Sequence, residues 1–366
     1  MISAISTSQG GHRPQEVHLC SCGRGRTPTS PFKAPQIVLS LELAQLLGEH
    51  GLAESGIEYR ELRWADFPSW QRLMPQAPGA FERATGFDQT MDAMYSYLHR
   101  RGLWTLLAIM RAMGRPPLSF FVAVSQGRVL GNAMLVLLPK TGYIFAVVTD
   151  SANRNRGIAT HILEETHRAI RDKGRPWVAL DVEPDNETAL RLYRKLGFEE
   201  KARSNWYVGP TPAAVTRSGD VATEVPRSKM KEVAAWVNIH QPPAIHELLP
   251  ATAKMLHYGE NVTQLPNTQT KTWSLTSSGK TTAVVRGAYL PMIKTVIAIP
   301  AGWDSAISSE SLLSLVAPVV DWARSLEATR TEVVVPDPPG AWEQAMATLG
   351  LPKLVSTMLM VRPSSS

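Results

Sequence analysis

Thr149-Asp150-Ser151-Ala152-Asn153-Arg154-Asn155-Arg156-Gly157-Ile158-Ala159-Thr160 leaves one apolar segment and enters a second with helical spacing. The first amides of a helix have no partner inside it and sit at the positive end of its dipole. A small, basic entry of this kind is therefore a ready site for a pyrophosphate. Gly157 and Ala159 keep those amides approachable, and Gly157 also tolerates a positive φ. Taken alone, the stretch reads equally as a plain helix start carrying a glycine, so its flanks decide.

Upstream, Phe120–Ser125, Arg128–Leu137 and Tyr143–Thr149 read as three short strands, with Gln126-Gly127 and Lys140-Thr141-Gly142 as hairpin turns. Downstream come an amphipathic helix over Arg156–Asp172, a strand over Trp177–Glu183, a helix over Glu187–Leu196 and a strand region over Phe198–Val208. Nearer the start, Ile57–Leu62 alternates as a strand and Ala65–Met74 reads as a short helix. A helical reading begins near Ile37. Two helical stretches between Phe87 and Met113, broken at Arg101-Gly102, could cover a substrate groove. Within them Met91, Met94, Trp104, Met110 and Met113 read first as core. The fold class is α/β (α+β), with a mixed, mostly antiparallel twisted sheet flanked by helices.

Arg154-x-x-Gly157-x-Ala159 after a meander, followed by Asn186-Glu187-Thr188-Ala189-Leu190-Arg191-Leu192-Tyr193-Arg194-Lys195-Leu196-Gly197-Phe198, resembles the GCN5-related N-acetyltransferase (GNAT) superfamily. The resemblance implies that the loop amides from Arg154 through Asn155, Arg156, Gly157, Ile158, Ala159 and Thr160 hold the pyrophosphate of an acyl-CoA. It implies too that the backbone of Val147, Val148 and Thr149 pairs with the pantetheine arm. Asn186 would contact that arm or cap its helix, a role asparagine favours by itself. Tyr193 would sit beside the sulfur as general acid, its phenol being protonated at neutral pH; without the motif it reads as a tyrosine packed on a helix face. Asp181, in Leu180-Asp181-Val182, stands where peptide N-terminal acetyltransferases carry Leu-Glu-Val, and by resemblance is a base acting through water. Its side chain is one methylene shorter, and the alternative is a polar residue on a strand's solvent face. Glu183 shares that face and could substitute. Ser151 stands where family members often have proline.

A Pro/Thr/Ser/Gly-rich segment over 209–227 reads as a linker, and beyond it the pattern recurs. Ser278-Gly279 echoes Gln126-Gly127 about 152 residues later, and Val335 to Leu351 echoes Val182 to Phe198 at nearly the same offset. The second copy departs from the motif: Ile299–Ile307 lacks Arg-x-x-Gly-x-Ala, Met346 falls at the tyrosine position, and Pro338-Pro339-Gly340 replaces the Asn186 region. Two GNAT-like domains in tandem are expected: a disordered leader over 1–35, a catalytic domain over 36–208, and a degenerate domain over 228–366 that has lost coenzyme A and supports the first.

The formal charge of +6 would suit nucleic acid, yet much of it lies in Arg13, Arg24, Arg26 and Lys33 of the leader, with no aromatic-interleaved basic stripe. A phosphate-bearing co-substrate suits that charge as well, and nucleic acid is not an expected partner. Cys20 and Cys22, with His12 and His18, have poor spacing for a disulfide framework or for zinc, so no metal is expected. With no secretory signal and no span of about 18 apolar residues, a cytoplasmic protein without a membrane partner is expected. The expected function is transfer of acetyl from acetyl-CoA directly to a primary amine, on a small molecule or a peptide N-terminus, in a ternary complex. The competing class is a non-enzymatic acyl-CoA-binding sensor.

Overall fold

The computed structural model describes residues 56–76, 118–215, 219–258 and 268–365. The leader, the helical start near Ile37 and the stretches between Phe87 and Met113 lie outside them. In the first half, β1 (Glu58–Glu61) precedes α1 (Phe67–Leu73), and β2 (Ser119–Ser125), β3 (Arg128–Leu137) and β4 (Thr141–Thr149) form the meander. Gln126 and Gly127 both take positive φ, 48° and 72°, the turn geometry whose twist matches paired strands. Next come α2 (Ile158–Asp172), β5 (Trp177–Val182) parallel to β4, α3 (Glu187–Lys195) and β6 (Glu199–Pro210). α2 begins at Ile158 rather than at Arg156 because Asn155 and Gly157 adopt φ of 60° and 75°, which a helix cannot include.

The second half repeats this order. β7 (Thr223–Glu224), α4 (Met230–His240), α5 (Pro243–Leu248) and α6 (Ala253–Tyr258) lead to β8 (Gln269–Ser277), β9 (Lys280–Leu290) and β10 (Thr295–Trp303). Then follow α7 (Ser309–Ser325), β11 (Arg330–Pro336), α8 (Gly340–Thr348) and β12 (Lys353–Pro363). Ser278 and Gly279 repeat the positive-φ pair at 49° and 78°, so the echo seen in sequence is an echo of turn geometry.

The twelve strands of the described residues join one sheet in the order β1-β2-β3-β4-β5-β12-β6-β11-β10-β9-β8-β7. The last strand of each half is exchanged. β12 enters the first half between β5 and β6, with Met360 opposite Leu180, and β6 lies against β11, with Trp206 opposite Val334. β6 and β12 pair with each other at the centre, Asn205 opposite Ser356. The division expected at 208/209 falls inside β6, a strand that both halves use.

Helices cover both faces. On one, Ile158, Ile162 and Ile170 of α2 pack with Leu135, Ile144 and Leu180. Two glycines let α2 lie this close: a Cβ on Gly131 would come within 2.7 Å of Ile162 Cδ1, and one on Gly142 would overlap Ile170. On the other face, Phe67, Trp70 and Leu73 of α1 pack with Val122, Met134 and Val148. α5 of the second half also reaches the first. Ala244, Ile245 and Leu248 share a cluster with Tyr143, Trp177, Ala179 and Leu359, and Thr141 Oγ1 donates to the Leu248 carbonyl at 2.8 Å. No described helix is long and apolar enough to cross a membrane.

Candidate active site

Parallel pairing of β4 with β5 runs from Thr141 opposite Trp177 to Ile144 opposite Leu180 and stops there, while β4 continues to Thr149. The cause lies in β4 itself. At Ala146, φ is 50° and the register with β3 shifts between Asn132 and Met134, a bulge that bends the strand away from its neighbour. Asn132, fully buried, holds the bulge: its Nδ2 donates to the Ala146 carbonyl at 2.8 Å, and its Oδ1 accepts from Trp70 Nε1 at 2.8 Å. A slot opens where an extended ligand could pair with the β4 backbone. Around it, Val147 packs toward the α2 side, Val148 is buried against the α1 side, and Thr149 pairs with Gly131.

The slot leads to the loop quoted above. Asp150 anchors it, its backbone N donating to the Leu130 carbonyl at 2.8 Å and its carboxylate accepting from Asn153 Nδ2 at 2.5 Å and Gln76 Nε2 at 3.3 Å. Gln76 Oε1 accepts from the Ser151 backbone N at 2.9 Å, a bond that a proline at 151 would forfeit. Arg156 donates to Asn153 Oδ1 at 2.7 Å; Arg154, Asn155, Arg156 and Gly157 are all exposed. Gly157 is the N-cap of α2 and offers no side chain to its first turn, so no cap covers the amides of Ile158, Ala159 and Thr160. Ile158 is anchored in the core, whereas Ala159 and Thr160 are half-buried at the surface. Exposed guanidinium groups beside uncapped amides at a helix start are the elements from which anion sites are built. His161 stacks on Tyr59 at 5.1 Å and brings its Nδ1 within 3.0 Å of the Gly157 carbonyl, bracing the first turn.

Asp181 and Tyr193 lie on opposite faces of the sheet. Val178, Leu180 and Val182 face α3 with Leu190 and Tyr193, so Asp181, between them, points to the α5 side. There it is half-buried. The Tyr143 hydroxyl makes a very short hydrogen bond to Asp181 Oδ2, and Thr357 Oγ1 of the exchanged strand lies 3.4 Å from Oδ1. Desolvation pushes the Asp181 carboxyl up to about 6, with the two hydroxyls opposing the shift. Burial and the nearby carboxylate raise the Tyr143 phenol well above its ordinary value, so it stays a donor. Tyr193 is buried and packs at 6.0 Å against Phe198. Asn186 is the N-cap of α3, its side chain accepting from the Ala189 backbone N at 3.1 Å, and Glu183 is half-buried.

Tyr143, Thr357, Asn132 and Gln76 escaped the sequence reading. Asn132 carries a signal, an amide in the otherwise apolar Val129 to Val136, which marks a buried hydrogen-bond node. Thr357 carries none, being 176 residues from its partner.

In the second half, β10 and β11 also part after Ala298 opposite Val333. Here Trp303, at the end of β10, and Trp342, on α8, are buried with their rings edge to face at 5.8 Å. By the offset of the duplication they stand near the positions of Thr149 and Ala189 in the first half. The features shared by the halves are therefore those of the sheet; the anion loop belongs to the first.

Residues 60–198 match the Acetyltransferase (GNAT) family. That segment is a GNAT domain, and the second half repeats its order of elements. A stretch of 116 residues is 31% identical to a mycothiol acetyltransferase of Thermomonospora curvata, covering 31% of this chain and 39% of that protein. The chain thus matches well under half the length of that relative. Two solved structures resemble the fold over most of the chain at 14% identity. A GCN5-related N-acetyltransferase from Sphaerobacter thermophilus gives a TM-score of 0.56 over 85% of this chain and 96% of its own. A tandem GNAT protein from the clavulanic acid biosynthesis pathway gives 0.51 over 84% and 98%. At that identity the likeness concerns the fold.

Proposed function

We propose that this GNAT-domain protein is an acetyl-CoA-dependent N-acetyltransferase acting on a primary amine by direct transfer in a ternary complex. One observation carries the reading: the slot beside β4, the uncapped amides of α2 and a carboxyl whose proton affinity lies near neutrality converge on one end of the sheet. Acetyl-CoA, when bound, supplies an acetyl group activated as a thioester. The amides of Ile158, Ala159 and Thr160, with Arg154, Asn155 and Arg156, would hold its diphosphate. The β4 backbone from Val147 to Thr149 would pair with its arm, and Gly157 would keep the approach clear.

Asp181 accepts a proton from the acceptor ammonium, directly or through water; a base near 6 is ionised at neutral pH yet still a competent acceptor. Tyr193 holds a proton for the departing thiolate. Its burial favours, as second reading, the sensor class, which needs no acid; Tyr193→Phe separates the two. The acceptor we favour is a small-molecule amine, on the tandem arrangement and the mycothiol acetyltransferase match, over a peptide N-terminus, which Leu180-Asp181-Val182 suggests.

The test is thiol release from acetyl-CoA with glucosamine, spermidine and glycylglycine as probes, beside calorimetric titration of acetyl-CoA. Amine-dependent release that falls at least about 100-fold in Tyr193→Phe, with acetyl-CoA affinity kept, supports transferase action. Binding without release by either protein supports the sensor. No binding heat overturns both.

A further inference from the structure

The exchange of strands places parts of the second half against Asp181. On one side of it stands β4, with Tyr143; on the other stands β12, whose Leu359 lies directly opposite Asp181 and whose Thr357 Oγ1 is 3.4 Å from Oδ1. Above the same face runs α5. Leu248, with Ala244 and Ile245, belongs to the apolar cluster that includes Tyr143, Trp177, Ala179, Leu359 and Val361. Thr141 Oγ1, two residues before Tyr143, ties β4 to the Leu248 carbonyl at 2.8 Å. The base of the first half thus has a hydroxyl from its own half, a hydroxyl from the other, and beside it Leu359, a member of the apolar cluster that α5 caps on the same face.

We infer that the second half is a working part of the first half's site, α5 and β12 acting with Tyr143 as positioning elements that fix the orientation and the dryness of the Asp181 carboxyl. This rests on the reading of Asp181 as base and extends it to the role of the duplicated half. Two physical effects oppose each other at this carboxyl. Hydroxyl donors stabilise its ionised form, whereas the apolar cluster removes water and favours the neutral form. Weakening each must therefore move its proton affinity in opposite directions, a signature that loosened packing alone does not produce.

The experiment follows the carboxyl carbons of selectively ¹³C-labelled aspartate by NMR from pH 4 to 8 in the full-length chain, with Asp181→Asn identifying the signal. Wild type should titrate near 6. Tyr143→Phe should move the midpoint up by roughly one unit, and Thr357→Val up by about half that, since its bond is long. Leu248→Ala, which admits water, should move it down by about one unit. Thr357→Val keeps shape and should fold; far-UV circular dichroism checks each variant. The inference is overturned if the midpoint is the same in all variants, or if Leu248→Ala and Tyr143→Phe shift it the same way. Thiol release tests the underlying reading separately. If Asp181→Asn keeps wild-type kcat/KM at every pH while the midpoints move as stated, the positioning stands and the base assignment falls.

Discussion

Replacing Asn132 with alanine should damage both stability and co-substrate binding, because one amide holds the bulge that opens the slot. The substitution leaves Trp70 Nε1 without its acceptor, on a side chain with no solvent exposure, and removes the donor at the Ala146 carbonyl, which water can partly reach. A stranded buried donor costs about 1–3 kcal/mol and a half-exposed acceptor less, so the expected loss is about 3 kcal/mol. Against a typical domain stability of about 5–15 kcal/mol, that is readily measured by urea unfolding. Trp70→Phe removes the same donor from the other side, so the double variant should lose clearly less than the two singles added together. With the bulge released, β4 can approach β5 beyond Ile144, and acetyl-CoA affinity by calorimetry should fall about tenfold. A stability loss under about 1 kcal/mol together with unchanged affinity would refute the argument that Asn132 sets the opening.

Gly157→Val forces a branched side chain into φ of 75°; the nearest atom to a Cβ there is His161 at 3.6 Å, so strain rather than collision dominates. Acetyl-CoA binding should weaken at least about tenfold while the urea midpoint changes little, as paired calorimetry and unfolding would show. Asp181 also links stability to pH. Because its folded-state affinity for a proton exceeds that of the unfolded chain, the contribution is fully present below about 3.8 and is lost as pH rises through about 6. Discounted for partial exposure, the change is about 1–2 kcal/mol. The stability of Asp181→Asn relative to wild type should therefore improve between pH 4 and pH 7.5; a constant difference would contradict the raised proton affinity. Calorimetric titration should give one acetyl-CoA per chain, because the second half lacks the glycine-led basic loop and buries Trp303 and Trp342 at the end of β10 and on α8, and a stoichiometry of two would overturn that assignment.

The elements and the loop were legible because their causes are local. Gln126-Gly127 and Ser278-Gly279 dictate tight turns, Gly157 ends an extended segment and starts a helix, and α2 shows its apolar stripe within fifteen residues. Of the two roles expected for Asn186, a contact to the pantetheine arm or a helix cap, the cap is the local one, spanning three residues, and Asn186 makes it. Tertiary structure alone decided the rest. That β12 lies between β5 and β6 follows from pairing across the length of the chain, and strand alternation gives a face but not a neighbour. The setting of Asp181 depends on Tyr143, Thr357 and Leu248, three segments that meet only once the sheet is closed. Sequence determines which residues can do chemistry here; the desolvation and hydrogen bonds that tune them come from groups distant in the chain, and such effects exist only after packing.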